Sequence, residues 1–222
     1  TMLGPDGVIS GMAPGSVLID CSTVDPDTTA ALREAADERQ VRFLDSPVGG
    51  SKVAAASGEL IMLVGGDEET LAQMRDILET LSKQIVYAGP SGSGTQLKLC
   101  FNLVVSHVAA ALSEALVLGV SGGLKPEVII EGLMAGIVGS RLVEWKGNCI
   151  IERDFSTNFS TRLMHKDLNL MMSSAYGLNV PLPVTAAVKE LFAMAKGAGH
   201  GEEDFCSVVK ILENLAGVEV GK

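Results

Sequence analysis

Hydrophobic positions fall into two regimes along the chain. Up to residue 90 they come in short runs broken by Pro, Gly, Asp or Ser; beyond that they recur at helical spacing. The short runs cover residues 17–21, 41–44, 60–64 and 84–87, and each predicts a buried strand. Between the first two the pattern is helical over 26–39, with Asp25 placed to cap and Pro26 at the first position. Between the last two it is helical again over 68–82, with Asp67 in the capping place. Strands alternating with helices predict a largely parallel α/β sheet, and ligands bind in the loops after such strands.

Two of those loops carry candidate chemistry. Ser22-Thr23 follows the first strand and presents two hydroxyls and backbone amides. Gly49, Gly50 and Ser51, after Pro47-Val48, suit a backbone nest for an anion such as a carboxylate, with Lys52 as a rim charge. The bland alternatives are ordinary helix entry for the first loop and a flexible connection for the second.

Residues 91–123 predict one long helix, apolar around most of its circumference and therefore buried on most sides. Lys98 and Asn102 in its first third argue against a membrane span. Gly94, Lys98 and Asn102 fall at i, i+4 and i+8, one narrow stripe near the helix start. Gly94 permits close approach of a backbone or ligand. Lys98 brings an ammonium that burial shifts towards neutrality, and Asn102 an amide. The alternative is a lysine snorkelling to solvent while Asn102 satisfies a nearby backbone group. His107 lies roughly 140° around the helix from Asn102 and is left out of the stripe.

The remainder predicts helices over Pro126–Ala135, 140–146, 162–176, 184–196 and 204–215, with a polar loop at 152–160. Lys166-Asp167 sits on a helix otherwise rich in Leu and Met, as a functional charge pair or a solvated face. The chain thus divides into 1–90, part of a Rossmann-like nucleotide-binding sheet, and 91–222, an all-α domain built on the long helix.

Composition narrows the partners. With 47% hydrophobic but only 4% aromatic residues, the core is aliphatic. A net charge of −10 weighs against nucleic acid and anionic membranes. Cys21, Cys100, Cys149 and Cys206 have no CxxC spacing and the three His are scattered, so no metal site is predicted. That cysteine usage fits a reducing compartment, and with no signal-peptide pattern the expected location is cytoplasmic, an organellar matrix remaining open.

The stripe Gly94-x-x-x-Lys98-x-x-x-Asn102 resembles the catalytic motif of the β-hydroxyacid dehydrogenases, the 3-hydroxyisobutyrate dehydrogenase family. Three further stretches are similar in order and position: Asp20-Cys21-Ser22-Thr23, Asp45-Ser46-Pro47-Val48-Gly49-Gly50, and Lys166-Asp167-Leu168-Asn169-Leu170. Gly50-Ser51-Lys52 looks most like the glyoxylate and succinic-semialdehyde reductase branch. The resemblance covers essentially the whole chain and starts partway into a typical member. It implies a fold like that of 6-phosphogluconate dehydrogenase, NAD or NADP as cofactor, and interconversion of a small 3-hydroxy or 2-hydroxy acid with its aldehyde or keto acid. Lys98 is then the general acid and base, and Asn102 holds the substrate or the lysine. Thr23 contacts the nicotinamide side of the cofactor, Lys166 closes over it, and Gly49, Gly50 and Ser51 grip the substrate carboxylate. A homo-dimer or homo-tetramer is implied, assembled through the helical region.

Two departures stand out. Gly49 occupies a position where the family usually has Ser. No G-x-G-x-x-G follows a strand; the family carries that loop, and the residue that selects NAD or NADP, upstream. The 222 residues alone are therefore expected to bind the cofactor weakly and turn over poorly. The alternatives are an imine reductase of the same fold, against which Lys98 speaks, or a non-catalytic oligomerisation scaffold, against which Lys98, Asn102 and Lys166 speak together.

Overall fold

All four apolar runs form strands, with ends that differ by a few residues. In the computed structural model, which describes residues 2–221, they are β1 (Val17–Asp20), β2 (Arg42–Asp45), β4 (Leu60–Gly66) and β5 (Ser82–Gly89). A two-residue strand, β3 (Val48–Gly49), lies where a loop was expected. α1 (Pro26–Glu38) joins β1 to β2, and α3 (Glu68–Leu81) joins β4 to β5; both pairs are parallel. The caps are as the sequence predicts: the Asp25 carboxylate accepts from the Thr28 amide at 2.8 Å, and Asp67 from the Thr70 amide at 2.8 Å.

The expectation of a largely parallel sheet needs one correction in the middle. β4 runs antiparallel to β2 and to β3, with Leu44 opposite Gly66 and Gly49 opposite Ile61 in one register. The cause is the connector. A parallel crossover needs a dozen or more residues, usually with a full helix, whereas the chain between β3 and β4 holds only α2 (Lys52–Ala56). Pro47, without an N–H, splits this antiparallel ladder into β2 and β3. Phe43 and Leu44, adjacent on β2, feed opposite faces. Phe43 joins Leu18, Leu32 and Ala36 against α1, while Leu44 joins Met62, Val64, Leu71 and Leu78 against α3.

The contacts divide the chain into two compact units, Thr1–Phe101 and Asn102–Lys222. The expected division at residue 90 precedes α4 (Ser93–Ser121); the observed one falls inside that helix. The reason is local: the first turn of α4 is bonded into the sheet end of the first unit, as described below.

The second unit holds the rest of α4 with α5 (Pro126–Ala135), α6 (Arg141–Ile151), α7 (Thr161–Gly177), α8 (Pro183–Ala195) and α9 (Val209–Ala216). α6 runs past the expected stop at Lys146, because Val143, Lys146, Gly147 and Ile150 form one buried helical face. The last helix starts later than expected, after a 3-10 turn at Phe205–Val208 capped by Asp204. Leu112, Leu116, Ile130, Val143, Ile150 and Val209 form its core. Beside it, Lys146 Nζ meets Asp204 Oδ1 at 2.8 Å, both side chains almost wholly buried. α4 is long and apolar enough to cross a membrane. It is less covered within this one chain than expected, with Val104 59% and Leu118 76% exposed.

Candidate functional site

In the first unit the site begins at the strand ends. Asp20 and Asp45 stand opposite each other at the ends of the parallel neighbours β1 and β2, so both following loops leave from the same end. The Asp20 carboxylate takes the Ser22 hydroxyl at 2.7 Å and its amide at 3.2 Å, which turns the chain and leaves Thr23 half-buried beyond it. The Ser46 amide donates to Asp20 O at 2.7 Å, which ties the two loops. Burial, then the Asp20 charge, pushes the Cys21 thiol pKa up.

Asp45 is spent on α4. Its Oδ1 accepts from the Gly92 amide at 2.7 Å and its Oδ2 from the Thr95 amide at 2.8 Å. These are N-terminal amides that have no partner within their own helix. Gly94 serves the same junction: a Cβ there would lie 2.3 Å from Leu63 O and 2.5 Å from Asp45 O. The close approach that a glycine permits is thus made to backbone. The Thr29 and Thr95 hydroxyls add a buried contact at 2.9 Å.

One turn further on, Lys98 is only 8% exposed, with its Nζ 5.2 Å from the centre of the Phe101 ring. The edge of that ring is 3.5 Å from where a Cβ on Gly49 would stand. Lys98, Phe101 and the Gly49 loop are therefore gathered in one place. Gly50 has φ 127°, a backbone state that favours glycine. Ser51 occupies the N-cap position of α2 without spending its side chain on the cap. The short helix after Ser51 shows that this segment is ordered secondary structure, against the alternative of a flexible connection.

The second unit contributes another group. Asn102 is 4% exposed and donates through Nδ2 to Asp167 Oδ2 at 2.6 Å. Lys166 Nζ lies 2.9 Å from Asp167 Oδ1, its own side chain 43% exposed. The Lys166-Asp167 pair is not a solvated face: Asp167 is 1% exposed. His107 is engaged elsewhere, its Nε2 3.1 Å from Thr185 Oγ1, with its pKa lowered by burial.

Two residues of consequence were not singled out from the sequence, and a third, Asp167, was weighed only as half of a pair with Lys166. Asp45 was read only as part of a motif, and Phe101 gave no signal beyond being an aromatic near Lys98. Asp167 did give one: it shares the core-facing stripe of α7 with Met164, Leu168 and Met171, and a carboxylate on such a stripe needs a buried partner. Among the described residues no group of three His, Cys, Asp or Glu is arranged to hold a metal ion.

The donor set fits a dinucleotide at this sheet end. Two loops leave side by side from parallel strands, the place where open α/β sheets hold nucleotides. Between them the buried Ser46 hydroxyl has no hydrogen-bond partner.

Residues 1–89 match the model of the NAD binding domain of 6-phosphogluconate dehydrogenase. Residues 92–212 match that of the NAD-binding domain of NADP-dependent 3-hydroxyisobutyrate dehydrogenase. Among individual proteins, the chain is 36% identical over 220 residues to 2-(hydroxymethyl)glutarate dehydrogenase of Eubacterium barkeri, covering 99% of this chain and 73% of that one. It is 34% identical over 218 residues to 3-hydroxyisobutyrate dehydrogenase of Pseudomonas aeruginosa, covering 94% and 73%. The solved structure of Mycobacterium tuberculosis 3-hydroxyisobutyrate dehydrogenase with L-serine superposes with a TM-score of 0.85 at 29% identity, over 92% of this chain and 72% of that one.

Proposed function

The chain belongs to the 3-hydroxyisobutyrate dehydrogenase family, and from that premise we propose that Lys98 is the general acid and base of an NAD(P)-dependent interconversion of a small hydroxy acid with its aldehyde or keto acid. The observation that carries this reading is the gathering of Lys98, Phe101 and the Gly49 loop within one unit. A buried ammonium beside a backbone loop able to take a carboxylate is the arrangement that proton transfer to a short hydroxy acid requires.

When bound, the nicotinamide supplies the hydride in reduction and accepts it in oxidation. In reduction, Lys98 gives a proton to the substrate oxygen as negative charge develops there. In oxidation, neutral Lys98 removes the hydroxyl proton. The Phe101 ring shields one side of the ammonium and stabilises its charge by contact with the ring face. Thr23, on the loop after β1, binds the nicotinamide side of the cofactor, and Lys166 closes over it. Asn102 holds the substrate oxygen or the lysine.

Amides of Gly49 and Gly50 and the Ser51 hydroxyl hold the substrate carboxylate. Gly49 offers no hydroxyl of its own and leaves open the space that a side chain there would fill. The carboxylate is thus gripped mainly by backbone, and substrates with a bulkier group beside it are accommodated. The relatives named for 2-(hydroxymethyl)glutarate and 3-hydroxyisobutyrate, and the one solved with L-serine, point to a hydroxymethyl group next to a carbon bearing a carboxylate or its chain. Assembly is proposed as a homo-dimer or homo-tetramer, in which a second copy covers the exposed Val104 and Leu118 of α4; sedimentation as a monomer at micromolar concentration would refute it.

The functional test follows NADH and NADPH oxidation with glyoxylate, succinic semialdehyde, tartronate semialdehyde and methylmalonate semialdehyde, using Lys98→Ala as control. Activity with a semialdehyde is expected, slow at ordinary cofactor concentration because the cofactor is held weakly, and it disappears in the control. Full activity in Lys98→Ala would overturn the role given to that lysine.

A further inference from the structure

Asn102 sits on α4 and Asp167 on α7, 65 positions apart, yet their side chains meet at 2.6 Å with both residues buried. A carboxylate paired with a lysine only accepts hydrogen bonds, so the amide must turn its nitrogen towards it. An amide group is planar, and its oxygen then faces away from Asp167. On its other oxygen Asp167 meets Lys166 at 2.9 Å in an ion pair, without a hydrogen bond at that atom. One buried carboxylate therefore joins two residues that the functional reading places against substrate and cofactor.

We propose that Asp167 is a positioning residue: it fixes the Asn102 amide with nitrogen inward and carbonyl oxygen outward, and it holds Lys166 to the same point. The proposal rests on the reading of Lys98 as the proton-transfer group, and it refines what Asn102 does beside it. An outward carbonyl oxygen is an acceptor. It accepts a hydrogen bond from the substrate hydroxyl, and it does not bind the substrate carboxylate, which would need a donor. Asn102 accordingly orients the reacting oxygen, and the carboxylate is left to the Gly49 loop.

Two variants of the full chain test this, beside Lys98→Ala. Asp167→Asn keeps the shape but no longer dictates which way the facing amide turns. It is expected to lower kcat about 10- to 100-fold, the loss of one hydrogen bond to a charged group, with KM changed less than about threefold. The swap Asn102→Asp with Asp167→Asn keeps one amide-to-carboxylate hydrogen bond, now donated from position 167, and an outward acceptor at position 102, with the same net charge. It is expected to recover at least about tenfold over Asp167→Asn, and it carries the test should the single variant fail to fold. Asp167→Asn within about twofold of wild type while Lys98→Ala is inactive would overturn the proposal, as would a swap no better than the single variant.

A readout without turnover separates this from the functional reading. In wild type the Asn102 side-chain amide should show one proton shifted downfield in nitrogen–proton NMR, as expected for a bond to a carboxylate, and Asp167→Asn should remove that shift. If Lys98→Ala keeps full activity, the functional reading falls and this resonance decides Asp167 alone. An unshifted wild-type amide would refute the pairing.

Discussion

Asp45→Asn tests how the first unit holds the start of α4, and with it the helix turn that carries Lys98. The wild-type carboxylate is buried and accepts two backbone amides, Gly92 at 2.7 Å and Thr95 at 2.8 Å. The substitution keeps the volume and replaces one acceptor oxygen by an NH2 that faces a buried N–H. A hydrogen bond to a charged group is worth about 1.5–3 kcal/mol, and a buried donor left unsatisfied costs about 1–3 kcal/mol; these overlap in part. The net expectation is about 3 kcal/mol, or about 100-fold in the local opening equilibrium. Tryptophan fluorescence is the wrong probe, because the single Trp, Trp145, belongs to the second unit. Amide hydrogen exchange by mass spectrometry reads the right place. Peptides spanning 92–101 should exchange about 100-fold faster in the variant, while peptides from α7 keep wild-type rates. Since Lys98 lies one turn beyond Thr95, kcat should fall with the same substitution. Exchange within about threefold of wild type over 92–101 would refute the claim that this carboxylate anchors the helix.

Three more outcomes follow from the same structure. Lys146→Met leaves Asp204 buried without its cation and should cost about 3 kcal/mol; the Trp145 ring, 3.8 Å from Lys146 Nζ, lets fluorescence follow the urea midpoint, and an unchanged midpoint would contradict it. Gly49→Ser places its Cβ no closer than 3.5 Å to Phe101 and 3.6 Å to Ile61, so stability should stay within about 0.5 kcal/mol, while the added hydroxyl lowers KM for carboxylate substrates; a destabilised protein or an unchanged KM would count against the loop's assignment. Burial holds His107 below its ordinary pKa, and His165 is lowered by burial and then by Lys196 and Lys189. The unfolded chain therefore binds more protons below about pH 6.5, and stability declines as pH falls through that range. The Trp145-monitored urea midpoint should drop between about pH 7.5 and 5.5, and His107→Gln should flatten the drop without abolishing it; identical slopes would refute the assignment.

Much of the fold was legible because its signals are local. Asp25 and Asp67 announce their helices by capping chemistry alone, and the apolar runs at 17–21, 41–44, 60–64 and 84–87 each contain at least half of a strand. The direction of β4 was not legible in the same way. It depends on how much chain lies between β3 and β4, and the small residues there hid both the short α2 and the two-residue β3. The stop expected at Lys146 failed for a related reason. Gly147-Asn148 reads locally as a helix end, but the buried face running from Val143 to Ile150 extends through it, and tertiary packing overrides weak propensity.

The site divides along the same line. Spacing on a single helix put Lys98 and Asn102 on one stripe, since four residues apart fixes a common face whatever surrounds it. Spacing could not say what each meets, because Asp167 reaches Asn102 across 65 positions and Phe101 reaches Gly49 across 52. The more informative clue was a conflict: an aspartate on the apolar stripe of α7, between Met164 and Met171. Desolvating a carboxylate is costly, so its presence there requires a compensating donor, and the only question is where along the chain that donor lies. Asn102, a polar residue on the apolar α4, poses the same question from the other side. Each is an anomaly on its own helix, and each removes the other's cost. Two such anomalies on different amphipathic helices predict a contact between them, which is a pairing rule that depends on burial and hydrogen-bond satisfaction rather than on sequence distance.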